Sequence, residues 1–133
     1  MDSAYENNIL ENKFPQPISH YDVHVYFNEH DPAEVKSASS LREKIIKNFP
    51  TLKMYELVPR PVGPHPIGMF ELLLRTPDEF AKFVPWFLIN RDSHVALLHP
   101  NTPNGLEDHS THAMWFGDKL PLSLGIFDRF KQT

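Results

Sequence analysis

Polar and apolar residues alternate through residues 22–27, DVHVYF, so that Val23, Val25 and Phe27 fall on one face of an extended chain and Asp22, His24 and Tyr26 on the other. The period predicts a strand. After Asp31, an N-cap followed by Pro32 and a capping-box Glu34, the period changes. Val35, Ala38, Leu41, Ile45 and Phe49 recur at three and four residues, which predicts a helix that Pro50 ends.

Residues 52–58, LKMYELV, and 67–74, IGMFELLL, predict a second and a third strand, joined by the proline-rich connection 59–66, PRPVGPHP. Thr76, Pro77 and Glu79 open a second helix, in which Phe80, Phe83, Val84, Phe87 and Leu88 share a face. Pro85 lies inside it, where a missing amide hydrogen costs about 3 kcal/mol, and predicts a kink or an early end. Residues 94–99, HVALLH, predict a fourth strand.

The order βαββαβ points to an α+β fold of ferredoxin-like type, an antiparallel sheet of order 4-1-3-2 with both helices on one face. Val23, Val25, Phe27, Phe70, Leu72 and Leu74 then face the helices, and Asp22, His24, Tyr26, Met69, Glu71 and Leu73 share the uncovered face. Beyond His99 the chain has turn signals at 103–105 and then predicts one or two helical turns, with Leu106, His109, Ala113 and Phe116 on one side. This extension or a second subunit is expected to cover the open face, and a homodimer is expected. The predicted organisation is a loose tail over 1–18, one domain over 19–117, and a C-terminal tail over 118–133 packed on that domain.

A chain of 133 residues suits one domain, and its 41% hydrophobic and 23% charged residues are those of a soluble globular protein. No run approaches the roughly 20 apolar residues of a membrane span, and the first residues lack the pattern of a secretory signal. A net charge of -4 without a basic block argues against nucleic acid as a partner. The absence of cysteine excludes disulfides and thiolate metal sites, fits a cytoplasmic setting, and leaves any metal to His, Asp or Glu. No GxSxG, P-loop or GxGxxG motif supports a hydrolase, nucleotidase or dehydrogenase.

Eight histidines therefore carry the candidate chemistry. His24 and Glu71 project from neighbouring strands onto one face. His94 and His99, five residues apart, point to opposite faces of a regular strand, so at most one can join His24 directly; His99 is the expected partner. His24, His99 and Glu71 would form the two-His-one-carboxylate set of non-haem Fe(II), while His65, on a loop stiffened by Pro64 and Pro66, could replace Glu71 in a three-His site. A lone histidine on an amphipathic strand is more often hydrogen-bonded or half exposed, which is the reading for His20, His30 and His94.

Four motifs, YDVHVYF, VGPHPIGMFEL, NRDSHVALLHPNT and LEDHSTHAMWFG, occur in the order found in the DOPA 4,5-dioxygenase family, small extradiol-type ring-cleavage enzymes of fungi and bacteria, and the chain resembles that family from about residue 19 to 117. The resemblance implies a ferredoxin-like fold, a catechol and dioxygen as substrates, Fe(II) as cofactor (zinc or another divalent ion could take its place in purified protein) and cytosolic residence. Ferrous ligands of this kind leave positions free for both catechol oxygens and for dioxygen. On this reading His24, His65 and His99 are candidate metal ligands, and Glu71 and His109 candidate catalytic groups, with His109 as the base and Asp108 either orienting it or capping a helix. Tyr26 and Trp115 are candidate substrate contacts, and Arg91 or Arg60 would pair with a substrate carboxylate. Metal-free ligand binding by a dimer, or cofactor-independent oxygenation on a dimeric α+β barrel, are the rival functions.

Overall fold

The computed structural model describes residues 11–130. Its central strand, β1, runs His20–Phe27 and begins earlier than the alternation alone indicates, because His20 pairs with Asn101. α1 runs Pro32–Asn48, with the Asp31 carboxylate accepting from the Ala33 amide and Ala38, Leu41 and Ile45 buried. β2 is only Lys53–Met54, shorter than the predicted 52–58. The chain stays beside the next strand, since the Tyr55 amide donates to the Glu71 carbonyl and Val58 exchanges two hydrogen bonds with Met69. Glu56 and Leu57 therefore oppose the single residue Phe70, and this extra residue interrupts the ladder as a bulge does.

β3 runs Gly68–Leu74. A side chain at Gly68 would meet the Phe27 ring at 2.9 Å, so the pairing of Gly68 with Phe27 needs glycine. α2 runs Pro77–Asn90, with the Thr76 hydroxyl accepting from the Glu79 amide. Pro85 does not end it early: Phe83 and Phe87, both fully buried, carry the apolar face across the proline, whose ring is exposed.

β4 runs Ala96–Asn101, displaced from the predicted 94–99. His94 is drawn out of the strand because its Nδ1–H donates to the Tyr26 carbonyl while Nε2 accepts from the Ser37 hydroxyl, at 2.9 and 2.8 Å. α3 is the single turn Gly105–Asp108. Where the sequence predicted a longer helical face through Ala113 and Phe116, the chain instead forms β5, Met114–Phe116, which satisfies the backbone groups on the outer edge of β4. A 3-10 segment, Leu124–Phe130, follows.

The sheet has five antiparallel strands in the order β2-β3-β1-β4-β5, so a fifth strand is added to the predicted four. Val23, Val25, Phe27, Phe70, Leu72, Leu74, Ala96 and Leu98 pack with α1 and α2 residues in the main core. The opposite face carries a smaller cluster of Tyr26, Met69 and Leu97, against which Ala113, Trp115, Leu120 and Leu122 pack. Part of that face is thus covered by the chain's own C-terminal extension. Residues 1–10 and 131–133 of the two predicted tails lie outside the described residues; from 11 on, the N-terminal segment is held rather than loose, with Phe14 buried 5.0 Å from the Tyr21 ring.

Candidate metal centre

His24 stands opposite Glu71 across β1 and β3, and Asp22, two residues earlier on the same face, stands opposite His99 across β1 and β4. The two buried imidazoles meet at 3.1 Å between their Nε2 atoms, with ring centroids 5.1 Å apart. Glu71 Oε2 lies 3.8 Å from His24 Nε2, and Asp22 Oδ2 lies 3.6 Å from His99 Nε2. The expected pairing of His24 with His99 rather than His94 is what the strands produce, and Asp22 joins it although the sequence reading gave it no role. Its spacing of two from His24 on an alternating strand was the available signal.

Two loops bring further imidazoles. α3 delivers His109: the Asn104 side chain caps the turn, and Asp108, buried, accepts from the Thr102 amide and hydroxyl at 2.8 and 2.6 Å, fixing the turn to the end of β4. Asp108 thus holds the loop, and His109 is oriented by its own turn, its Nδ1–H donating to the Gly105 carbonyl at 2.7 Å. The His109 ring lies 4.0 Å from that of His99. From the 59–66 connection the His65 ring lies 4.1 Å from that of His24, tilted by 40°, and its Nδ1 shares a 2.6 Å hydrogen bond with the Tyr26 hydroxyl.

The ligand atoms of His24, His99 and His109 lie within 4.8 Å of one another, as do those of Asp22, His24 and Glu71. Nδ1–H of His99 donates to the Pro100 carbonyl at 2.8 Å, just as that of His109 donates to Gly105. In each ring this fixes the tautomer and leaves Nε2 with the lone pair, which in His99 accepts from His24 Nε2–H, and a committed Nδ1–H is the usual support for a metal-binding histidine. Burial and the neighbouring imidazoles hold His24 well below the ordinary histidine range and bring His65 down to about 4; His99 is lowered chiefly by burial. His24, His65 and His99 are therefore neutral, as ligation requires. Burial, reinforced by Asp22, pushes Glu71 up to about 7, so its contact with neutral His24 is not an ion pair. His24 Nδ1 is buried with no hydrogen-bond partner among the described residues. A compact set of neutral imidazoles beside two carboxylates fits a divalent cation better than it fits a packed core.

Trp115 stacks 6.0 Å from Tyr26, which places both predicted substrate contacts on the histidine face. Arg91 is engaged elsewhere, donating from Nη1 to the His94 carbonyl at 2.8 Å, and Arg60 is exposed on the loop that carries His65. His20 is partly buried 3.1 Å from Asp22, and His30 is exposed.

The histidine face defines the chain as a small α+β protein with a buried imidazole cluster, and comparison with known proteins gives that class a family. The sequence model of the Dopa 4,5-dioxygenase family matches residues 21–126, and the chain belongs to that family. It is 39% identical over 132 residues to an uncharacterized 21.2 kDa protein of Botryotinia fuckeliana, covering 90% of this chain and 72% of that one. It is 28% identical over 120 residues to a DOPA 4,5-dioxygenase of Amanita muscaria, covering 86% of this chain and about half (52%) of the relative's length. A crystal structure of a "putative dioxygenase" from Nostoc punctiforme superimposes with a TM-score of 0.77 at 31% identity, over 85% of this chain and 94% of the other. These relationships support an oxygenase. Among the described residues no helix is long and apolar enough to cross a membrane.

Proposed function

We propose that the chain is a non-haem Fe(II)-dependent, extradiol-type dioxygenase that opens the ring of a catechol such as DOPA. The observation that carries the reading is the convergence of His24, His99 and His109 on one point of the sheet face. His24 and His99 keep the ligand role expected of them. The third position goes to His109 in place of His65, because it is the His109 ligand atom that lies within 4.8 Å of those of His24 and His99. Glu71 and Asp22 stand close enough to complete the coordination or to balance its charge.

When bound, Fe(II) would supply Lewis-acid activation of the catechol oxygens and a path for electrons from the catechol, which is the reductant, to dioxygen. The chain's own groups handle the substrate and its protons. The Tyr26 hydroxyl can donate to His65 Nδ1 or accept from it, so His65 Nε2 can take a catechol proton in one tautomer and donate a hydrogen bond in the other. Tyr26, Met69, Leu97 and Trp115 form an apolar wall suited to an aromatic ring and unfavourable to water. For a substrate carboxylate, Arg60 is the freer of the two predicted arginines. A homodimer in the cytoplasm completes the proposal, resting on the cysteine-free composition and on a sheet face that the C-terminal extension covers in part.

The test is anaerobic reconstitution with Fe(II), followed by oxygen uptake with a panel of catechols and optical detection of the ring-opened product. Turnover that disappears with a strong chelator and in His24→Ala and His99→Ala is expected. Iron-loaded protein that turns over no catechol would overturn the reading, and activity that survives the chelator would favour cofactor-independent oxygenation.

A further inference from the structure

We infer that Phe127, in the C-terminal 3-10 segment Leu124–Phe130, is a positioning residue for His109. The His109 ring is held from two sides: the His99 ring lies 4.0 Å away, and the Phe127 ring 4.7 Å away at 31°. Its one hydrogen bond, from Nδ1 to the Gly105 carbonyl, fixes the tautomer but leaves the ring free to swing about the Nδ1–O direction. Phe127 removes that freedom.

The backbone is shaped for this contact. A Cβ on Gly105 would lie 3.1 Å from Cδ1 and from Cε1 of Phe127, so any other residue at the start of α3 would press on the aromatic ring and push it aside by a few tenths of an ångström. The absent side chain at Gly105 and the ring of Phe127 are one fitted pair, placed directly under the imidazole that Gly105 orients.

The segment leading to Phe127 also ties down the other loop. The Ser123 amide donates to the Pro64 carbonyl at 2.8 Å, beside His65, while Leu120 and Leu122 pack on the Tyr26, Met69 and Leu97 cluster. One stretch of chain, residues 120–127, therefore fastens both histidine-bearing loops over the two histidines that the sheet fixes.

The inference rests on His109 as a metal ligand, and two readouts separate its failure from the failure of that role. In metal-free protein, the ring signals of His109 are followed by NMR with histidine-selective labelling. Phe127→Ala is expected to shift them through the lost ring current and to broaden them as the ring gains mobility; Phe127→Tyr is expected to restore them, and Gly105→Ala to reproduce part of the loss. Unchanged signals in Phe127→Ala would overturn the inference. Cobalt(II) is then titrated as a spectroscopic probe. Phe127→Ala should bind it about 10–100-fold more weakly, as expected when the support of a ligand is removed, and adding Phe127→Ala to His109→Ala should cause no loss beyond that of His109→Ala alone. Additive losses would overturn the inference. Wild-type cobalt affinity in His109→Ala would overturn the ligand role, and the NMR result alone would then decide whether Phe127 positions the ring.

Discussion

His24 and Glu71 face one another across the two central strands, Nε2 to Oε2 at 3.8 Å, with the imidazole neutral and the carboxyl raised to about 7. A cation placed there displaces a proton from Glu71 wherever that carboxyl is protonated. Metal affinity should therefore fall as pH drops below about 7, while His24, His65 and His99, already neutral, contribute little to the slope down to pH 6. Cobalt titrations from pH 6 to 8 check this. Glu71→Gln should bind about tenfold more weakly at pH 8 and show a flatter profile. An unchanged slope in Glu71→Gln would remove the carboxyl from the site.

The buried Nδ1 of His24 has no partner among the described residues, a deficit of about 1–3 kcal/mol that only a function would maintain. His24→Leu removes that atom, together with the hydrogen bond to His99. In chelator-treated protein it should unfold within about 1 kcal/mol of wild type, and it should bind no metal. Leu72→Ala, in the fully buried core on the other face of the sheet, should cost about 2–5 kcal/mol. Comparable destabilisation by the two variants would make His24 a packing residue.

Parity along a strand is a property of sequence, and it carried much of the site. That His24, Tyr26 and Glu71 share a face, and that only one of His94 and His99 can join them, follows from a period of two. Register does not. Whether Glu71 arrives opposite His24 depends on how β1 and β3 pair along their whole length, including the fit of Gly68 against the Phe27 ring. His94 left its predicted strand because Ser37, 57 residues away, holds it. β5 was hidden for the same reason: MWF is too short to declare itself, and it is a strand only because β4 offers an edge. The roles of His65 and His109 turn on Tyr26 and Gly105 contacts, one long-range and one within a turn that looked like part of a longer helix.

Pro85 inside α2 offers a test of helix energetics away from the site. Its ring is exposed, so substitution costs little packing, and alanine would restore an amide hydrogen bond that proline lacks. Part of the gain is offset by the greater freedom of the unfolded alanine chain. Pro85→Ala should stabilise the protein by about 1–2 kcal/mol, read from denaturant unfolding, with metal binding unchanged. Destabilisation would show that the helix needs the proline's geometry to turn Phe83 and Phe87 into the core.

The same ionisations set the acid response of the metal-free protein. His24, His65 and His99 take protons in the unfolded chain as pH falls below about 6.5, but in the folded protein they resist until lower pH, about 4 for His65. The unfolded state thus binds more protons across this window, and stability falls as pH falls. Glu71 acts in the opposite sense, since its folded carboxyl protonates near 7 and the unfolded one near 4.5, which adds stability as pH drops between those values. Three histidines outweigh one carboxyl, so chelator-treated protein should lose about 5 °C or more in Tm between pH 7 and 5. Glu71→Gln, without the opposing contribution, should show a steeper loss. A Tm that holds or rises toward pH 5 would mean that the imidazoles are protonated in the folded protein, and that the cluster is not the neutral ligand set a divalent cation needs.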